Sequence, residues 1–251
     1  IMDSFGSDPE FMLVDKNGKY VSAIKVLPGD KHNPTVVGEY QFYWDNVLAE
    51  CSIKPGFSKE EVIANFRTCF KEYAKIVKPY KLKTQASKVF PALQMRDAGA
   101  KTAGCDPEYC SYTILKRRPP ADIIRDTNFR TCGGHIHLGD SLGCVISGDE
   151  NTLILIRLLD LFLGITSLYM DIDPTSAARR KLYGKAGRVR YKPYGIEYRS
   201  LGNFWLASPK LVSFVYDVCE FVINFVNNGQ DLWQFNEKLY KKQRSEEHTS
   251  E

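Results

Sequence analysis

The chain has 251 residues, 43% of them hydrophobic and 12% aromatic, enough to bury one large core in a single domain. Its 34 basic residues nearly balance 30 acidic ones, leaving a net charge of +4, which argues against a dedicated nucleic-acid binder with one strongly basic face. The seven cysteines are an odd number without Cys-x-x-Cys spacing and follow no signal peptide, so a reduced, cytoplasmic setting is expected.

Gly6 to Leu13 (GSDPEFML) reads as a first strand with Asp8 and Glu10 on one face. Pro9 between them cannot donate to a sheet, so the strand is expected at an edge or bulged there. Tyr40 to Ile53 is aromatic and β-branched enough for a strand, or for a hairpin partner of the first. Continuous alternation would put Asn46, Leu48 and Glu50 on one face and Asp45, Val47 and Ala49 on the other. Glu50 is costly there unless it is exposed or faces a cation. Ser58-Lys-Glu-Glu61 is a capping box opening a helix whose stripe runs Val62, Ile63, Phe66, Phe70, Tyr73, Ala74, Val77, with Pro79 as the stop. Cys105 and Cys110 have the look of zinc ligands, but no second pair completes a site.

Gly133 to Gly139 (GGHIHLG) alternates His135 and His137 against Ile136 and Leu138, and its glycines permit a close approach by a ligand or another backbone. Asp149 is placed to cap a helix containing the apolar run Leu153 to Met170. Arg157 and Asp160 within that run favour a buried or amphipathic helix over a membrane span. Residues 179–199 (RRKLYGKAGRVRYKPYGIEYR) are densely cationic and end with Glu197 and Arg199 on one face, Ile196 and Tyr198 on the other. Ser208-Pro209 starts a third helix burying Leu211, Val212, Phe214, Val215, Val218, Phe221, Val222 and Phe225, ended by Asn227-Asn-Gly229. Helices separated by groups of strands give an α+β fold with a largely antiparallel sheet. Residues 1–235 form the domain. Residues 236–251 are read as a polar, disordered tail foreign to the fold from Gln243 on, with no role for His248.

Carboxylates, imidazoles and guanidinium groups on sheet faces suit a divalent cation together with phosphate. Few histidines against many carboxylates favour Mg²⁺ or Mn²⁺ over a zinc cluster. The cationic stretch is either a solvated loop or a loop that closes over nucleotide phosphates. No Walker-type or Gly-x-Gly-x-x-Gly signature is present.

With FGSDPEF, DNVLAE at 45–50, GCDPEY at 104–109, GGHIHLG, and RRKLYGKAG followed by YGIEYRSLGNFW, the chain resembles the carboxylate–amine ligases of the glutamine synthetase and glutamate–cysteine ligase superfamily. The branch it most resembles is the phage-type COOH·NH2 ligases of type 2, from about Phe5 to Trp205. The resemblance implies a curved antiparallel sheet with helices on its outer face, the glutamine synthetase-like catalytic domain. It implies ATP and Mg²⁺ (or Mn²⁺), an acyl-phosphate intermediate, and small-molecule or peptide carboxylate and amine substrates. Nucleic acid and membrane are not among the implied partners, and an oligomer is compatible.

Carried over by position, the resemblance makes Glu10, Glu50, His135 and Glu197 metal ligands, with Asp8 a further one of shorter reach. Relatives in the glutamate–cysteine ligase branch carry two glutamates where this chain has Asp8-Pro9-Glu10. Glu197, Arg199 and Arg190 become catalytic. Arg180, Lys185, Arg190, Arg199 and His137 hold the nucleotide, and Asp45 and Asn46 bind substrate. The rival readings are a non-catalytic peptide- or nucleotide-binding member of the same fold and a metal-dependent hydrolase.

Overall fold

The two alternating stretches become neighbouring strands in the middle of a sheet. In the computed structural model, which describes residues 2–102, 108–113, 116–117, 121–140 and 149–227, Ile136–Gly139 pairs with Gly195–Tyr198 so that His137 faces Glu197 and Ile136 faces Tyr198. From one edge the sheet runs Lys116–Arg117, Glu108–Cys110, Arg188–Lys192, Gly195–Tyr198, Ile136–Gly139, Ser4–Ser7, Leu48–Gly56, Glu10–Val14 and Tyr20–Val21. Every pairing along this path is antiparallel, so the expected α+β class with a mostly antiparallel sheet is what the chain adopts.

Alternation divides the sheet's two faces chemically. Ile136, Leu138, Ile196 and Tyr198 are fully buried in the main core, together with Leu155, Ile156, Val212 and Val215 from two helices. Burying each such side chain contributes about 1.5–3 kcal/mol, so the apolar face fixes which side the polar residues take. The helix Lys59–Ile76 starts as its capping box predicts: Ser58 Oγ accepts from the Glu61 amide at 3.2 Å. The Glu61 carboxylate reaches one residue further back, accepting from the Phe57 amide at 2.9 Å. Val62, Phe66, Tyr73 and Val77 are buried as expected, while Ala74 is exposed and Cys69 takes an inward position. The last described helix, Pro209–Asn227, keeps Val212, Val215 and Val222 inside and leaves Phe221 out, 54% exposed, against Phe162. Its apolar residues outnumber the positions that face the core, and Tyr216, Cys219 and Ile223 fill those instead.

Two strand readings need correction. The first strand is two, Ser4–Ser7 and Glu10–Val14, because the chain breaks at Asp8-Pro9; both halves pair with the long strand Leu48–Gly56. Tyr40 to Ile53 is not one alternating strand but a hairpin, Tyr40–Asp45 and Leu48–Gly56, turning at Asn46 with φ +48°. A two-residue turn pairs Asp45 with Leu48 and Tyr43 with Glu50, and cross-strand partners share a face. Asp45 therefore lies on the face of Glu50, not the opposite one.

The run at 149–170 is helical, Asp149–Leu159 and Ile165–Met170, joined by a π-helical turn, Asp160–Gly164. Residues 150–170 are long and apolar enough to cross a membrane by length and composition, with 39% of the window buried. Asp160 is buried and accepts from the Gly187 amide at 2.6 Å, Tyr198 Oη at 2.7 Å and Ser200 Oγ at 3.1 Å, pinning the turn beneath the sheet. The Asp149 side chain, the Cys105 partner of Cys110 and the tail beyond Asn227, with its boundary at residue 235, lie outside the described residues.

Candidate active site

Register alone assembles the polar face. Arg190, Glu197, His137 and Gly6 are successive cross-strand partners, and Glu10, Glu50 and Tyr43 form a second such row. The break at Asp8-Pro9 turns Asp8 between the rows, its Oδ1 3.1 Å from His137 Nε2 and 3.4 Å from His135 Nδ1. Glu197 Oε1 lies 3.4 Å from His135 Nδ1. Glu197 is fully buried, and three cations converge on it: Arg199 in direct contact, Arg190 Nη1 at 3.1 Å and Lys192 Nζ at 3.0 Å. Arg199 also donates from Nε to Glu108 at 3.0 Å.

The charges are tuned by this crowding. Burial and the Asp8 charge would raise Glu197, but Arg199 and the two imidazoles win and hold it at about 2. Burial likewise opposes ionisation of Asp8, and His137 and His135 outweigh it, leaving its carboxyl well below the usual range. Glu50 goes the other way: burial and the charges of Glu10, Asp8 and Asp45 push it well above the usual range, and Tyr43 Oη donates to its Oε1 at 3.1 Å. Asp45 is raised to about 6 by burial and by Glu10. The acids thus separate into Asp8 and Glu197, which ionise more readily than usual, and Glu50 and Asp45, which ionise less readily.

Beside these residues lies a cavity of about 810 Å³, its mouth included. Asp8, Glu10, Asp45, Asn46 and Glu50 are among the residues that line it. His135, Arg190, Arg199, Arg130 and Arg179 line it as well. Of the residues expected at the site, His137, Glu197, Arg180 and Lys185 are not among those lining the cavity; His137 and Glu197 adjoin it through Asp8, His135, Arg190 and Arg199. Arg179, one helical position before Arg180, is the inward arginine of Ser176–Leu182; Lys185 is exposed, and its carbonyl accepts from Ser200 Oγ. Glu108, which no reading of the sequence singled out, holds Arg199 and lies 3.5 Å from Arg188. A signal for it existed: Gly104-Cys-Asp-Pro-Glu-Tyr109 repeats the pattern of Gly6-Ser-Asp-Pro-Glu-Phe11.

The residues fit a divalent cation. Ligand atoms of Asp8, His137 and Glu197 all lie within 4.8 Å of one another. Asp8 Oδ1 and His137 Nε2 are buried and, although close, are not aligned as a hydrogen bond, so each lacks such a partner. His137 Nδ1 contacts the Tyr194 hydroxyl, the outer contact that orients a ligating imidazole and leaves Nε2 for the ion.

Residues 126–243 match the family model described as Phage phiEco32-like COOH.NH2 ligase-type 2. Over that segment the chain is similar to this ligase family. The match takes in the His135–His137 strand, the cationic stretch and the Glu197–Arg199 strand, a little under half of the chain. The family indicated by the five sequence motifs is the one whose model matches. No curated protein and no solved structure matches the chain.

Proposed function

We propose that the protein is an ATP- and Mg²⁺-dependent carboxylate–amine ligase that forms an amide or peptide bond through an acyl phosphate. The observation that carries the reading is the convergence of Arg190, Lys192 and Arg199 on Glu197 beside the Asp8–His137 pair. Three cations on one carboxylate leave an excess of positive charge that a polyphosphate would neutralise. Asp8, His137 and Glu197, with His135 adjoining, would hold the metal, which when bound neutralises phosphate charge and polarises the transferred group.

The chain's own groups have separable tasks. Arg190 and Arg199 stabilise charge on the transferred phosphoryl oxygens, and Glu108 holds the Arg199 fork in its plane. A substrate carboxylate oxygen attacks the γ-phosphorus as the bond to ADP breaks, and this nucleophile needs no base at neutral pH. The amine then attacks the acyl carbon, phosphate departs, and the amine loses its proton. The Asp45 carboxylate, ionised at neutral pH but with its pKa raised to about 6, stands in the same cavity and can take that proton.

The test is ADP release with mixtures of amino acids and short peptides. ADP and phosphate should form only with donor and acceptor together, and Asp8→Ala should abolish both ADP release and stabilisation of the fold by Mn²⁺. Hydrolysis without ATP would establish the metallohydrolase reading. Nucleotide binding without turnover in any mixture would establish the non-catalytic one.

A further inference from the structure

Arg179 is the residue that metal and phosphate binding leave unexplained. It is 2% exposed, yet among the described residues it forms no ion pair. Its Nη1 donates to the Ser200 carbonyl at 3.0 Å, while its Nε is buried without a hydrogen-bond partner. Burial lowers its proton affinity only to about 10, so it stays charged at neutral pH. Glu10 and Asp171 act on it through space but neither makes an ion pair with it, so the desolvated fork is matched by no carboxylate of the described residues, and a carboxylate or phosphate from a ligand is the group its plane fits.

The loop above it is shaped around it. Gly184 has φ +71°, and a Cβ there would lie 2.0 Å from Arg179 Nη1 and 2.5 Å from the Ser200 carbonyl oxygen. Only glycine lets the chain pass so close over the guanidinium.

The surroundings of Arg179 favour a carboxylate. The Glu10 charge is felt by both Arg179 and Asp45, so an anion held here has acidic groups as its other neighbours. A triphosphate would be repelled by them, and its natural counter-charges, Arg190, Lys192 and Arg199, gather at Glu197. A ligand bearing both charges fits both sets. Phe129, Leu182 and Tyr183 line the same cavity and offer apolar contact to a side chain.

We propose that Arg179 binds the carboxylate of a free α-amino acid whose ammonium group faces Glu10 and Asp45, making an amino acid the amine substrate of the ligation. This rests on the ligase reading for its role in turnover, but not for the binding itself.

The experiment follows thermal stabilisation of wild type, Arg179→Gln and Arg179→Lys by each of the twenty amino acids, as the free acid and as the α-carboxamide, and separately by ADP. At least one free acid should raise the wild-type midpoint, its carboxamide should not, and Arg179→Gln should weaken that affinity tenfold or more while the ADP response persists. Should Arg179→Gln fail to fold, Arg179→Lys carries the test: it keeps the charge but loses the fork, so affinity for the acid should fall several-fold with ADP unaffected. The proposal is overturned if no free acid stabilises the wild type, if carboxamides act equally, if the variant that folds binds the acid as wild type does, or if ADP binding is lost instead. Amino-acid binding without ADP release from any mixture would sink the ligase reading and leave the subsite standing.

Discussion

Arg199→Lys tests whether the guanidinium fork holds the centre of the site together. Arg199 is 8% exposed and divides its donors between two carboxylates, Nε to Glu108 at 3.0 Å and Nη1 to Glu197. At 3.0 Å and an effective dielectric near 20 the gross attraction to Glu108 is about 5 kcal/mol. Most of that offsets desolvation, and a charge-assisted hydrogen bond contributes about 1.5–3 kcal/mol net. A lysine ammonium can serve one carboxylate well but not both. Neither acid would be stranded, since Glu108 keeps Arg188 and Glu197 keeps Arg190 and Lys192. The loss should therefore stay below the roughly 3–5 kcal/mol of a broken buried pair. About 1.5–3 kcal/mol corresponds to a midpoint lower by roughly 3–12 °C in a chain of this size. Thermal unfolding followed by circular dichroism at pH 7 measures it. Glu108→Gln and the double variant complete a cycle in which coupling should be at least about 0.5 kcal/mol. A midpoint within about 1 °C of wild type, or strictly additive effects, would refute the argument.

Asp160→Asn puts an amide NH₂ where the carboxylate accepts from Gly187, Tyr198 and Ser200, leaving a buried donor unmatched; it should cost about 1–3 kcal/mol in urea unfolding. Asp45, raised from 3.8 to about 6 in the folded state, binds its proton more tightly there than in the unfolded chain, so its ionisation costs stability progressively from about pH 4 upward. Asp45→Asn should therefore gain in midpoint relative to wild type at pH 7.5 compared with pH 4, and an equal difference at both would count against the burial argument. Glu197, held at about 2, has the opposite sign: it contributes stability above its unfolded value of 4.5, and Glu197→Gln should flatten the loss of stability as pH falls from 4.5 toward 2. Gly184→Ala meets both a positive φ and the Arg179 contact, and a destabilisation of at least about 1 kcal/mol is expected.

What could be read from the sequence was what depends on local period. Alternation placed His135, His137, Glu197 and Arg199 on one side and Ile136, Leu138, Ile196 and Tyr198 on the other, because a strand's side-chain period survives any tertiary arrangement. The face of Asp45 was misread because one left-handed residue, Asn46, converts a strand into a hairpin and resets the alternation. Asn46 itself, a residue type that tolerates the left-handed region, was the available turn signal. Arg179 and Arg180 are adjacent on a helix, and composition does not say which turns inward; the packing of Ser176–Leu182 decides it. Glu108 sits at the far side of the sheet from Glu10, and its tie to Arg199 spans 91 positions of chain, a pairing that no local pattern encodes.

The π-helical turn at Asp160–Gly164 has a consequence for insertions and deletions. Ahead of it, Leu155, Ile156 and Leu159 point into the core; after it, Ile165, Leu168 and Tyr169 point out and are half to mostly exposed. Deleting one residue from the turn would advance everything downstream by about 100° around the helix axis. A single lost codon would thus act less as a shortening than as a rotation, carrying one side chain of each turn from water toward the sheet. Length variation among homologues at this point should therefore track which surface they display, even where their residues are otherwise the same.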